Sequence, residues 1–110
     1  MSADYSILVT TIDSDEKARE IARTALAARL AACVQVFPIQ SHYEWKGEMR
    51  EDAEILIQMK IRTSDYAELA ALVRKLHSYD LPEILRLDIA EGDTAYLDWI
   101  AESTRREGDG

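Results

Sequence analysis

The sequence predicts an α+β fold, a ferredoxin-like split βαβ sandwich with a long protruding β-hairpin and a C-terminal helix. Three observations predict it. Apolar residues recur at Ala53, Ile55, Ile57, Met59 and Ile61 while Glu54, Gln58 and Lys60 take the other face, the period of two that marks a half-buried strand. Leu69, Leu72, Val73 and Leu76 recur instead at i, i+3, i+4 and i+7, the spacing of an amphipathic helix. Read along the chain, the elements then run β-α-β-β-α-β with one terminal helix, the order in which both helices cover one face of an antiparallel sheet.

Tyr5 to Thr11 (Tyr-Ser-Ile-Leu-Val-Thr-Thr) is rich in β-formers and reads as a central strand. Asp13 and Glu16, three apart, predict a helix start with a capping box. Ala18, Ile21, Ala22, Ala25 and Leu26 then share one helical face. The run from Ala27 to Ala32 has no glycine stop and leads almost directly into the Cys33-Val34 strand, which implies close packing of helix on sheet. Val34 to Ile61 is the hairpin, with arms at Val34–Phe37 and His42–Trp45, a short turn at Lys46-Gly47 and the alternating return strand. Arms of about 12 residues at roughly 3.3 Å each reach about 40 Å. A globular chain of this length has a radius of gyration near 13 Å, so the ribbon overhangs its own core. Its exposed edges require a partner, and the chain is expected to be an oligomer.

Asp65 and Glu68 repeat the capping pattern before the second helix, which is expected to end near His77. Leu81-Pro82 resists further helix. Ile84, Leu85, Leu87 and Ile89 make another strand, and Gly92-Asp93-Thr94 turns into a last helix carrying Tyr96, Leu97, Trp99 and Ile100. From about Thr104 the tail is charged, ends in glycine, and is expected to be mobile.

At 110 residues the chain makes one domain with one core. A formal charge of −8, from 13 basic and 21 acidic residues, argues against a nucleic-acid surface, which needs clustered Lys and Arg. Cys33 is the only cysteine, so no internal disulfide forms and a reducing, cytoplasmic location is expected. No apolar run approaches the roughly 18 residues of a membrane span, and no basic and then apolar leader opens the chain. Neither membrane insertion nor nucleic-acid binding is expected.

Four segments follow one another along the chain: Ala31-Ala32-Cys33-Val34, Tyr43-Glu44-Trp45-Lys46-Gly47, His77-Ser78-Tyr79-Asp80-Leu81-Pro82-Glu83-Ile84 and Gly92-Asp93-Thr94-Ala95-Tyr96-Leu97-Asp98-Trp99. Together they resemble the CutA family of divalent-cation tolerance proteins, over nearly the whole chain from Tyr5 to about Ser103. The resemblance implies a ferredoxin-like subunit in a compact homotrimer whose long hairpins pair between neighbours. An overhang calls for an oligomer without setting its number; three comes from the resemblance. It further implies tolerance of copper and other divalent metals in bacteria, membrane-protein anchoring in animals, or a PII-like signalling or small-molecule role. The chain departs from the family pattern at Ser78, where proline is usual after the histidine, and at Ile61, where threonine or serine often follows the lysine. Thr11 and Leu76 stand where some members carry a cysteine and a second histidine.

His77 and Cys33 are the candidate metal ligands, for Cu²⁺ or Zn²⁺, with Asp80 or Glu83 able to supplement the histidine; no cofactor is obligatory. Each has a structural reading beside it. His77 could cap its helix, and Cys33 could be a small buried hydrophobe. Tyr43, Trp45, Lys60, Tyr79 and Glu83 are the candidate residues of an inter-subunit cleft, with Lys60 offering a charge to an anion; Tyr96 and Trp99 could join them or fill the interface. His42 faces away from Tyr43 by alternation. Glu44, Glu48, Glu51, Asp52 and Glu54 surround the hairpin turn, where they could gather cations or keep exposed strands apart. With no asparagine and no glycine-rich loop after the first strand, acylphosphatase-like phosphoryl chemistry is excluded. The function expected is a non-enzymatic homotrimer that binds divalent metal ions. The alternative is a signalling trimer that takes a small anion between subunits.

Overall fold

A computed structural model describes residues 3–108. Strand β1 (Tyr5–Ile12) leads into helix α1 (Asp15–Ala27), then β2 (Cys33–Trp45) and β3 (Glu48–Arg62). A single 3₁₀ turn (Thr63–Asp65) precedes helix α2 (Tyr66–Leu76), followed by β4 (Ile84–Asp88) and helix α3 (Thr94–Ser103). The strands form one antiparallel sheet in the order β2-β3-β1-β4. β1 and β2 therefore run parallel with α1 between them, and β3 and β4 run parallel with α2 between them, which is the split βαβ arrangement.

Strand periodicity builds the core. Leu8 pairs with Met59, Thr10 with Ile57 and Ser6 with Ile61, so these side chains share the face that α1 and α2 cover. There Ile21 and Ala25 of α1 and Leu69 and Val73 of α2 close over Leu8, Ile12, Ile57, Met59 and Ile61. Each large apolar side chain so buried contributes roughly 1.5–3 kcal/mol. The opposite face carries Ile7, Val9 and Thr11 on β1, Leu56 and Phe37 on the hairpin, and Leu85 and Leu87 on β4. It is only partly covered: Leu85 and Leu87 are about half exposed, at 51% and 50%.

The hairpin pairs without interruption from Cys33↔Lys60 to Trp45↔Glu48, so the two arms expected in β2 are one strand running through Pro38. β2 is an edge strand, where a missing N–H is tolerated. Lys46 and Gly47 both take positive φ, 51° and 82°, as a two-residue type I′ turn requires. β1 accompanies β3 only as far as Ile12↔Ile55. Seven further residue pairs, from Ile39↔Glu54 to the turn, stand clear of the rest of the sheet, an overhang of roughly 23 Å at 3.3 Å per residue. The chain accordingly measures 49 × 26 × 21 Å, with a radius of gyration of 14.8 Å.

Two helix starts differ from expectation. The α1 cap is Ser14, whose side chain accepts from the Lys17 N–H at 3.2 Å, instead of Asp13. Asp65 stands at the α2 cap position but makes no capping bond, because its carboxylate is taken by arginines. Asp93 caps α3 as its sequence suggests, accepting from Tyr96 N–H. The tail expected to be loose from about Thr104 is held further along: Thr104 is fully buried and Arg106 is bonded to Asp65 and to the Arg29 carbonyl. Its last two residues lie outside the described ones. Among the described residues, no helix is long and apolar enough to cross a membrane.

Candidate functional site

The overhang leans over the end of β1 and the loop that joins α2 to β4, and the space between them is a groove of about 900 Å³. Why the loop lies there follows from His77. The helix ends at this residue, whose backbone turns extended (φ −75°, ψ 143°) and points the ring back toward β1. Its Nε2 lies 2.7 Å from the Thr11 carbonyl oxygen, and its Nδ1 accepts the Tyr79 N–H at 3.1 Å. An accepting Nδ1 places the ring hydrogen on Nε2, which donates to Thr11. The His77 and Tyr79 rings then meet edge-on, 4.8 Å apart at 63°.

Tyr79 carries the connection across to the hairpin, its hydroxyl donating to Glu54 Oε2 at 2.8 Å. Two residues nearer the hairpin turn, the Tyr43 hydroxyl donates to Asp52 Oδ2. Burial, then the bond to the Glu54 carboxylate, pushes the Tyr79 phenol well above the ordinary tyrosine range. The Tyr43 phenol is raised chiefly by its bond to Asp52. Both hydroxyls are thus protonated donors near neutral pH, and each leaves its carboxylate one oxygen to offer elsewhere.

Around these pairs the charge is one-sided. Asp13, Asp52, Glu54, Asp80 and Glu83 line the groove against a single guanidinium, Arg50. Tyr43, Trp45 and Tyr79 supply aromatic surface. The arrangement attracts cations and opposes an anion.

Of the residues expected to form a cleft, Tyr43, Trp45, Tyr79 and Glu83 do line this groove. Lys60 does not. It lies toward the opposite end of β3, where its Nζ donates to Gln35 Oε1 at 2.6 Å and sits 5.9 Å from the Tyr96 ring. The charge it was to offer an anion is therefore missing from the groove. The two expected metal ligands do not meet either. Cys33 is level with Lys60, and through it with Ile7, whereas His77 bonds at Thr11. Four residues along β1 separate those levels, roughly 13 Å. Both His77 nitrogens are already engaged, so a metal could take one only by displacing a backbone partner. Among the described residues, no three His, Cys, Asp or Glu side chains gather into a metal-holding group.

Pairing register also sorts the acidic group at the turn. Glu48, Asp52 and Glu54 share the open face with Tyr43 and Trp45, whereas Glu44 and Glu51 point the other way, Glu51 pairing with His42 Nδ1 at 3.1 Å. Thr11, Asp13 and Arg50 belong to the groove and were not anticipated. Arg50 was within reach of the sequence: once Lys46-Gly47 is taken as the turn, Tyr43 falls opposite Arg50.

The fold is ferredoxin-like, with a half-covered sheet face, an overhanging hairpin and an acidic groove beneath it. The chain belongs to the CutA1 family, whose model, described as "CutA1 divalent ion tolerance protein", matches residues 6–103. The divalent-cation tolerance protein CutA of Thermus thermophilus is 44% identical over 99 residues, covering 89% of this chain and 96% of that protein. A CutA homolog of Danio rerio is 39% identical over 104 residues, covering 94% of this chain and 69% of that one. Among solved structures, a protein named periplasmic divalent cation tolerance protein CutA from Archaeoglobus fulgidus superimposes with a TM-score of 0.89 at 36% identity, covering 92% of this chain and 99% of that chain.

Proposed function

We propose that the protein is a non-enzymatic homotrimer that holds divalent metal ions, copper, zinc or similar, and so contributes to metal tolerance. The observation that carries this reading is the acidic groove beneath a hairpin overhang that no other described strand flanks. Membership of a family described by divalent ion tolerance supports the cation. A half-exposed apolar sheet face and seven strand pairs without flanking strands support the assembly. The groove presents carboxylate oxygens from one subunit, and a neighbour seated on the overhang supplies the remaining ligands. A cytoplasmic location belongs to the same proposal, supported by one half-buried thiol with no second cysteine to oxidise with.

The test joins mass to metal. Light scattering should give three times the subunit mass of 12.5 kDa. Calorimetric titration with Cu²⁺ and with Zn²⁺ against a competing chelator should show saturable binding in the wild type, weakened tenfold or more by Asp52→Asn with Glu54→Gln. Cys33→Ser should leave it unchanged. A monomeric mass, or affinity indifferent to loss of both carboxylates, would overturn the corresponding half of the proposal.

A further inference from the structure

We infer that α3 and the tail to Arg106 form a strap, fastened to the rest of the chain by arginines, that can lift away while the sheet, α1 and α2 stay folded. The apolar seam beneath α3 is small. Of its ten residues only Ile100 is buried, and that side chain lies outside the cluster that α1 and α2 share with the sheet. Tyr96 and Trp99 remain 41% and 44% exposed.

What the seam lacks, guanidinium groups supply. α3 has no basic residue in its last turn, so the partial negative charge at its C-terminus is met from other elements. Arg29 Nη2 donates to the Glu102 carbonyl at 3.0 Å and its Nε to the Arg105 carbonyl. Arg62 Nη2 donates to the Thr104 carbonyl at 2.9 Å. Arg106 closes the circuit from the tail: Nη2 reaches Asp65 Oδ1 at 2.7 Å and Nη1 the Arg29 carbonyl at 2.7 Å.

Two local irregularities make sense only as parts of this clasp. Arg29 follows the α1 C-cap with φ 57°, the left-handed position of a Schellman turn, in which Arg29 N–H bonds to the Leu26 carbonyl and Leu30 N–H to that of Ala25. Glycine is the residue suited to that backbone, and arginine is strained there. The strain is tolerated where the side chain and the carbonyl of this one residue both engage the tail. Asp65, only 5% exposed, gives up capping its own helix to receive Arg62 and Arg106. A carboxylate so deeply placed is stable when fully paired and unstable when one partner leaves. Each irregularity weakens a neighbouring helix terminus in favour of the strap.

The inference stands apart from the assembly reading, since it is read peptide by peptide at one protein concentration. Hydrogen exchange is measured by mass spectrometry on the full chain, comparing wild type with Arg106→Ala and Arg29→Gly. Exchange across residues 94–106 should quicken at least tenfold in both variants, with peptides from α1, α2 and β1 unchanged. Arg29→Gly guards against simple unfolding, because it removes the backbone strain and should leave the α1 terminus as protected as before or more so. Unchanged exchange in 94–106 would overturn the clasp. Equal loss of protection in every peptide would overturn the strap, because the tail would then be part of one cooperative unit.

Discussion

Replacing His77 by alanine separates a structural histidine from a ligand. The substitution removes the Nε2 bond to the Thr11 carbonyl, the Nδ1 bond from Tyr79 N–H and the edge-on contact with the Tyr79 ring. Each hydrogen bond is worth about 0.5–1.5 kcal/mol, and the ring contact about 0.5–1 kcal/mol. Their sum puts the expected loss at roughly 1.5–4 kcal/mol. Guanidinium unfolding at fixed protein concentration reads it directly. With a slope of about 2–6 kcal/mol per molar, the midpoint should fall by roughly 0.25–2 M. Metal affinity, measured in parallel against a competing chelator, should change by less than threefold, because neither nitrogen is free to bind. A tenfold loss of affinity with an unchanged midpoint would refute the reasoning, since it would make His77 a ligand that contributes nothing to the fold. An unchanged midpoint with unchanged affinity would refute the hydrogen-bond geometry itself.

Thr10 lies fully buried on the helix-covered face with no hydrogen-bond partner for its hydroxyl among the described residues. Thr10→Val keeps the shape and removes the unpaired group, so a gain of about 1 kcal/mol is expected in the same unfolding experiment; a loss of that size would show the hydroxyl to be satisfied. Tyr79 gives a pH dependence. Its phenol is raised in the folded chain, so its contribution to stability is complete below about pH 10 and is lost as pH climbs beyond, by no more than about 1.4 kcal/mol per pH unit. Tyr79→Phe should flatten the alkaline decline in stability between about pH 10 and 12, and parallel curves for the two proteins would rule out this source. If the subunits assemble as proposed, the melting temperature rises with protein concentration, and a concentration-independent transition would count against assembly.

Elements governed by local periodicity were legible in the sequence: the alternation of β3, the stripe of α2 and the Lys46-Gly47 turn each stand where pattern places them. Cap residues were less so, for a physical reason. Asp13 and Asp65 both have the right chemistry for a cap, but a nearby serine took one position and two arginines took the carboxylate of the other. Ser14 and Arg62 lie within a few residues of the aspartates they displace or occupy, but Arg106, 41 positions from Asp65, leaves no mark in a window of four residues. The same blindness hid the end of the chain, because a tail rich in charge reads as solvated until Asp65 and Arg29 are seen beneath it.

At the groove, residue type misled and register would have helped. Histidine and cysteine suggested a metal site by their chemistry, but the carbonyl and N–H groups exposed where α2 ends claim both nitrogens of His77, and Cys33 starts a strand at the wrong level to join it. Charge sorted by strand face is the better guide: pairing outward from Lys46-Gly47 puts Glu48, Asp52 and Glu54 on one side with Tyr43, Trp45 and Arg50, and sends Glu44 and Glu51 to the other. Asp52, Tyr43, Trp45 and Arg50 all stand on the overhang, in the part of the hairpin that no other described strand flanks. An isolated ribbon of that kind is only marginally stable in water. In the proposed trimer the groove keeps its shape only as firmly as a neighbour holds the hairpin, and cation affinity and assembly rise and fall together.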